Sequence, residues 1–143
     1  MTPGYFLSIY REMIDDNAFA ARAVLRILEV CFSDAVPTLA VTCEDRPRLL
    51  VNLGFIAQHC RTEEHVKAVI THEFLHVLLR HTETRGPMTS ARQIAFDAVI
   101  NAIIHRPAGT KWSSFFADYY AEAPALVQLL RPPAPGELMR LSK

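Results

Sequence analysis

The chain has 143 residues, half of them hydrophobic and 21% charged, which is the composition of an ordinary globular domain. Fifteen lysines and arginines balance fifteen aspartates and glutamates, so no net field attracts nucleic acid or an anionic membrane surface. The three cysteines form neither a CxxC motif nor an even framework, and the N-terminus has no basic segment followed by an apolar run. We therefore predict a single cytoplasmic domain over residues 1–143, with no nucleic-acid partner and no membrane segment.

The first third of the sequence has the apolar spacing of helices. Pro3 suits a first helical turn, and Phe6, Ile9 and Met13 recur at helical intervals before the polar run at residues 15–17. A second apolar stripe follows, and it predicts another core-facing helical segment through Phe19, Val24, Leu25, Leu28 and Phe32.

The next segment changes to a pattern typical of strands. Residues 35–42 and 48–53 are short, β-branched or apolar runs, and a polar, turn-like cluster at residues 43–47 separates them. This pattern predicts a strand pair or a hairpin. Gly54 follows, and we expect the chain to leave the sheet there.

Two long helices are predicted next. Thr62 and the two acids that follow it are typical of a helix start, and this helix is expected to run to about Arg80. Gly86-Pro87 separates it from a second helix, which begins near Thr89 or Ser90 and is expected to end before Pro107.

The last third contains two further helical patterns, at residues 112–120 and 125–131, and then an irregular, proline-rich tail over residues 132–143. Helices, then strands, then helices again predict an α+β fold.

The first long helix contains His72-Glu73-Phe74-Leu75-His76, an HExxH motif. Residues four apart lie one turn apart on the same helix face, so both imidazoles can reach one Zn²⁺ ion. Glu73 is placed to accept the proton of a zinc-bound water as general base. The apolar residues on both sides of the motif argue against a chance match. Two histidines and a glutamate buried in such a stretch cost free energy unless they have partners.

The sequence offers two candidates for the third zinc ligand. His81 is near, but on a continuous helix it lies on the face opposite His72, so the helix would have to break first. Asp97 is favoured, because it is a lone charge in an apolar run of the next helix, and a carboxylate is a competent zinc ligand. Asn101 lies one turn further on, where it can accept a hydrogen bond from the far nitrogen of a ligating histidine or orient a neighbouring backbone group. The alternative is that Asp97 and Asn101 form a buried polar pair.

This arrangement resembles the gluzincin branch of the zinc peptidases. In thermolysin-like enzymes a glutamate about twenty residues after the second histidine is the third ligand, and an acid follows one turn later. Here Asp97 and Asn101 stand in those places after His76. The resemblance implies a compact zincin-like domain, with a small mixed or antiparallel sheet packed on the HExxH helix and further helices.

The sequence is also similar to a metallopeptidase domain found in bacterial proteins that often carry a VWA-like domain. That family has a strand leading to an asparagine, then HExxH, a histidine five residues later and a D-x-x-x-N helix. This chain has Asn52, His72 to His76, His81 and Asp97 with Asn101, and Arg80 replaces the family's usual glycine. The resemblance covers about residues 48–106, and it implies zinc and hydrolysis more directly than a substrate.

We therefore expect a zinc-dependent hydrolase that acts on a peptide or protein substrate, with the oligomeric state left open. The alternatives are a catalytically silent module with the zincin fold and a hydrolase of another substrate such as nucleic acid. By analogy with zincins, the strand at residues 48–53 is expected to be a sheet edge that pairs with substrate. Several side chains are candidates to stabilise the oxyanion, and the sequence does not choose among Tyr119, Tyr120, His105, Arg92 and His81.

Overall fold

Four α-helices, a short 3-10 helix and a three-stranded sheet form the part of the chain that the structure, a computed structural model, describes, namely residues 1–16, 23, 27, 29–81 and 86–132. The predicted α+β class is confirmed. The elements in chain order are α1 (Pro3–Asp16), β1 (Val30–Phe32), β2 (Leu39–Val41), β3 (Leu49–Val51), α2 (Leu53–His59), α3 (Glu63–Leu78), α4 (Ser90–Tyr119) and the 3-10 helix (Ala125–Leu130).

The sheet is mixed, with strand order β1-β3-β2. β2 and β3 form the predicted antiparallel pair, although each is only three residues long. β1 pairs parallel to β3 and was not predicted: Phe32, which we placed in a helical stripe, lies in this strand. The other residues of that stripe, Phe19, Val24, Leu25 and Leu28, lie outside the described residues.

The sheet edge that packs on the HExxH helix is β2. The prediction that residues 48–53 form an exposed edge is wrong, because β3 is hydrogen-bonded on both sides. Thr42 N–H donates to the Arg48 carbonyl and Asn52 N–H donates to the Thr38 carbonyl. In an antiparallel pair, alternate residues of a strand direct their backbone N–H and C=O groups to the same side. The groups of Leu39 and Val41 therefore point away from β3.

The helix α2 was also not predicted. Asn52 begins it, because the Asn52 side chain accepts a hydrogen bond from the Phe55 N–H at 3.1 Å. The same side chain donates to the Val36 carbonyl at 2.8 Å. Asn52 therefore joins the end of β3, the start of α2 and the segment that leads into β2.

The HExxH helix α3 begins where the sequence predicts. The Thr62 hydroxyl accepts from the His65 N–H, and Glu63 and Glu64 occupy the first turn. α3 crosses the centre of the fold and is covered by α1, where Tyr10 packs edge to face on Phe74 with ring centroids 5.5 Å apart.

The helix α4 is longer than predicted. It begins at the predicted cap, Thr89, but it does not end at Pro107 and continues to Tyr119. A proline inside a helix costs roughly 3 kcal/mol, but the core residues Ile104 and Phe116 lie on either side of it and are 2% and 3% exposed. Burying two such side chains, at about 1.5–3 kcal/mol each, offsets that cost.

The final helical prediction, residues 125–131, is confirmed as the short 3-10 helix, which packs on α4. The predicted tail, apart from residue 132, lies outside the described residues. The three cysteines are free. None of the helices in the described ranges is long and apolar enough to cross a membrane.

Candidate metal centre

The two histidines of the motif project from one face of α3 into the interior. His72 and His76 are each 8% exposed, and their Nε2 atoms are 3.2 Å apart. Apolar side chains on the other faces of α3, including the buried Ile70 and Val77, hold the helix in the core. The helix therefore fixes the spacing of two imidazole nitrogens that could hold a metal ion.

Asp97 completes the group from the neighbouring helix α4. Its Oδ1 atom lies 3.1 Å from His72 Nε2 and 3.0 Å from His76 Nε2. Within the described residues, these three side chains form a group of possible metal ligands that lie within 4.8 Å of one another. The structure thus brings Asp97, rather than His81, to the two histidines, as the sequence favours.

Asn101 determines which nitrogen of His72 carries the proton. The Asn101 side-chain N–H donates to the Leu130 carbonyl at 2.9 Å, which fixes the orientation of the amide. Its oxygen then faces His72 Nδ1 at 2.7 Å and accepts a hydrogen bond from it. In neutral His72 the lone pair is therefore on Nε2, which faces Asp97 and His76. This is the contact that the sequence predicts for Asn101.

His81 reaches the site by a sharp break in the chain. α3 ends at Leu78, and Arg80 has φ of +61°, the left-handed conformation that glycine favours. The chain turns back so that His81 Nδ1 lies 3.0 Å from His76 Nδ1, and the His81 ring stacks on Phe96. His81 is therefore a hydrogen-bond partner of His76 and lies behind the three converging atoms.

Glu73 lies beside the histidines, 7% exposed. Burial raises the pKa of its carboxyl group, and the charges of His72 and His76 and a hydrogen bond from the Val41 backbone act in the opposite direction. Val41 lies in the edge strand β2, so the edge and the motif helix meet at this carboxylate. Glu73 points toward the cavity without belonging to the converging group.

Opposite charges keep Asp97 ionised. Burial acts to raise the pKa of Asp97, but its hydrogen bonds with His72 and His76 outweigh burial and hold the pKa well below its usual range. Burial lowers the pKa of His72, yet the Asp97 hydrogen bond and the Glu73 charge outweigh it and leave the pKa raised. The cluster therefore attracts a positive charge.

The three atoms fit a tetrahedral metal ion. Zinc–ligand bonds of about 2.0–2.1 Å in a tetrahedron place the ligand atoms roughly 3.3 Å apart, and the separations here are 3.0–3.2 Å. If His76 Nδ1 donates to His81, then the Nε2 atoms of His72 and His76 both direct lone pairs toward the charged Asp97 oxygen. Three such acceptors require a cation between them, either a metal ion or an added proton.

A cavity of about 240 Å³ opens beside this group. It is bounded by β2, α2, α3 and α4. His72, His76 and Asp97 all line this space, and a catalytic zinc site, unlike a structural one, keeps one coordination position open to substrate or water. The cavity is smaller than most small-molecule sites, which occupy roughly 300–1,000 Å³.

The structure separates the candidates for oxyanion stabilisation. Tyr119, Tyr120 and His81 line the cavity, and His105 and Arg92 do not. His105 contacts the Ser113 hydroxyl at 2.8 Å, and Arg92 donates to the Pro87 carbonyl.

The sequence pattern gives no sign that His65, near the start of α3, is buried. His65 is 7% exposed, with one ring nitrogen 3.1 Å from the Ser114 hydroxyl and the other accepting from the Arg61 N–H. Only the fold brings Ser114 near it, so no local pattern predicts this contact.

Comparison with protein-family models, with curated proteins and with solved structures finds no match to this chain. The geometry of the site therefore carries the functional argument.

Proposed function

We propose that this protein is a zinc-dependent hydrolase of peptide or amide bonds, related to the gluzincin-like metallopeptidases. The observation that carries the proposal is the convergence of His72, His76 and Asp97, with their ligand atoms 3.0–3.2 Å apart beside a buried glutamate. Two imidazoles and one carboxylate that leave an open position are a ligand set of catalytic zinc.

The same ligand types also suit non-haem Fe(II). The surroundings favour zinc and hydrolysis, because Glu73 is a carboxylate in the next position of the helix and lines the same cavity. A carboxylate in that position can act as the general base that takes a proton from an attacking water molecule.

Zinc, when bound, supplies a Lewis acid that makes a water molecule more acidic and polarises a carbonyl. Glu73 accepts a proton from the attacking water as the oxygen forms a bond to the carbonyl carbon. Glu73 then delivers that proton to the amide nitrogen as the C–N bond breaks, leaving a carboxylic acid and an amine. The raised pKa of Glu73 suits both proton transfers.

Tyr120 is one candidate donor to the oxyanion, because it lines the same cavity as Glu73 and Asp97. Burial raises its pKa well above the usual value, with the charges of Asp97 and Glu73 acting in the same direction. Its hydroxyl therefore stays protonated and can donate a hydrogen bond.

The edge strand β2 is the favoured support for an extended substrate. Thr38 to Val41 line the cavity, and the backbone groups of Leu39 and the carbonyl of Val41 point away from β3, while the Val41 N–H donates to Glu73. An incoming peptide can pair with such an edge by β-augmentation. The sequence analysis assigned substrate pairing to residues 48–53, and we now propose it for the neighbouring strand β2.

The test is the variant Glu73→Gln compared with the wild type, both loaded with zinc, against a mixed peptide library analysed by mass spectrometry. We expect Glu73→Gln to bind one zinc ion per chain and to lose at least about 10²-fold in hydrolysis. Wild-type protein that binds zinc but cleaves no peptide would instead support the silent zincin-fold module. Equal hydrolysis by the two proteins would exclude Glu73 as the base.

A further inference from the structure

Each histidine of the metal group has a second side chain at its far nitrogen. His72 Nδ1 meets the Asn101 oxygen at 2.7 Å. His76 Nδ1 meets His81 Nδ1 at 3.0 Å, while His76 Nε2 lies 3.0 Å from Asp97 Oδ1. A metal-binding histidine almost always has such a partner on the nitrogen that does not bind the ion. His81 thus occupies toward His76 the place that Asn101 occupies toward His72.

The backbone between the motif helix and His81 departs from helical geometry. On a continued α3, His81 would lie about 140° around the helix axis from His76. α3 ends instead at Leu78, and Arg80 has φ of +61°. A residue with a β-carbon adopts this conformation at a cost in free energy, and such costs cluster at functional sites. The break that brings His81 to His76 is therefore maintained against the local preference of the chain.

The ring of His81 is held in position by α4. It stacks on Phe96 with ring centroids 3.8 Å apart and an interplanar angle of 8°. Phe96 directly precedes Asp97, so one turn of α4 carries both the carboxylate of the metal group and the ring that supports His81. Stacking fixes the plane of the His81 imidazole, and with it the direction of Nδ1. The contact with His76 therefore needs little further ordering of the side chain.

We propose that His81 is a positioning residue for His76: His81 Nδ1 accepts a hydrogen bond from His76 Nδ1–H, which leaves the lone pair of His76 on Nε2, directed at the metal position. This inference rests on the proposed function, because it concerns the zinc site. In a neutral imidazole one nitrogen is a donor and the other an acceptor. If the shared proton were on His81, a neutral His76 would carry its own proton on Nε2 and could not bind zinc there.

Two substitutions separate the acceptor of His81 from its ring. His81→Asn keeps an oxygen near the place of Nδ1 and removes the ring that stacks on Phe96. His81→Phe keeps a stacking ring and removes the acceptor. Zinc affinity is measured by competition with a chromogenic chelator. We expect His81→Phe to bind zinc at least about tenfold more weakly than the wild type, and His81→Asn to stay within about threefold of it.

His59→Phe is the matched control. His59 also lies against an aromatic ring, with its centroid 4.9 Å from that of Phe55, and it does not line the cavity. This variant is expected to bind zinc as tightly as the wild type. A loss in His59→Phe equal to the loss in His81→Phe would overturn the inference, because position 81 would then have no special role.

The hydrogen bond itself is observed as a scalar coupling between its two nitrogens, measured by NMR on ¹⁵N-labelled, zinc-loaded protein. We expect a coupling between His76 Nδ1 and His81 Nδ1, with the proton bonded to His76. In His81→Phe the His76 Nδ1–H loses its acceptor, so its exchange with solvent is expected to be faster. A proton bonded to His81, or no coupling, overturns the inference.

The outcomes distinguish this inference from the proposed function. If the wild type binds zinc and His81→Phe binds it equally well, or if His81→Asn is the weaker of the two variants, the positioning role is refuted and the metal site stands. If the wild type binds no zinc, the proposed metal site is refuted, and the coupling in the metal-free protein then decides the inference. A proton on His76 Nδ1 supports it there, and a proton on His81 or the absence of a coupling overturns it.

Discussion

The contact between Asn101 and His72 offers a sharp test, because one buried side chain links the metal group to the C-terminal 3-10 helix. Asn101 is 2% exposed, accepts from His72 Nδ1 and donates to the Leu130 carbonyl. In Asn101→Ala both partners lose a buried hydrogen bond. At about 1–2 kcal/mol for each unsatisfied group, the free energy of unfolding of the metal-free protein is expected to fall by roughly 2–4 kcal/mol.

Zinc affinity is expected to fall in the same variant, by about 10–100-fold, because His72 loses the group that orients its ring. Asn101→Asp is the matched control. It keeps an oxygen that accepts from His72, but it places a carboxylate oxygen against the Leu130 carbonyl. We therefore expect Asn101→Asp to lose stability and to keep zinc affinity close to that of the wild type.

The assays are urea unfolding of the metal-free proteins and competition for zinc with a chromogenic chelator. If Asn101→Ala binds zinc as tightly as the wild type, Asn101 does not orient a ligand. If Asn101→Asp loses zinc affinity as far as Asn101→Ala does, the hydrogen bond to His72 is not the cause. Either result would refute the reasoning.

Two further predictions concern the segment after the motif and the charge of the site. Arg80→Gly is expected to be about 1 kcal/mol more stable to urea than Arg80→Ala, because position 80 has a positive φ that a β-carbon disfavours; equal stability would contradict that conformation. The pKa of His72 is raised by Asp97 and Glu73 against the effect of burial, so its contribution to the stability of the metal-free protein is complete below about pH 6.5 and is lost as pH rises through the folded-state value. Zinc requires the unprotonated imidazole, so the increase in Tm on adding zinc is expected to be larger at pH 8 than at pH 5.5, and a larger increase at pH 5.5 would contradict this.

Much of the site could be predicted from the sequence because its signals are local. The spacing of His72 and His76 depends on helix geometry alone, and Thr62 marks the start of that helix. Asp97 and Asn101 stand out as polar residues in an apolar helix pattern, and such residues need partners. The structure supplies those partners at hydrogen-bond distance.

The missed features depend on contacts between distant parts of the chain. β1 is three residues long, and it is a strand only because β3 lies beside it, so Phe32 looked like part of a helical stripe. The same parallel pairing makes β3 central and leaves β2 at the edge. Pro107 predicts a helix end locally, but core packing on both sides continues α4.

His81 shows why the finer details need a structure, since its position depends on the unusual backbone at Arg80.

The most direct test of the zinc site is metal analysis of purified wild type, Asp97→Ala and His81→Ala after equilibration with limiting zinc. We expect one zinc ion per wild-type chain, with Asp97→Ala losing most of its zinc and His81→Ala retaining more, because Asp97, and not His81, joins the converging atoms of the described residues. Wild-type protein without stoichiometric zinc, or full occupancy in Asp97→Ala together with loss in His81→Ala, would contradict it.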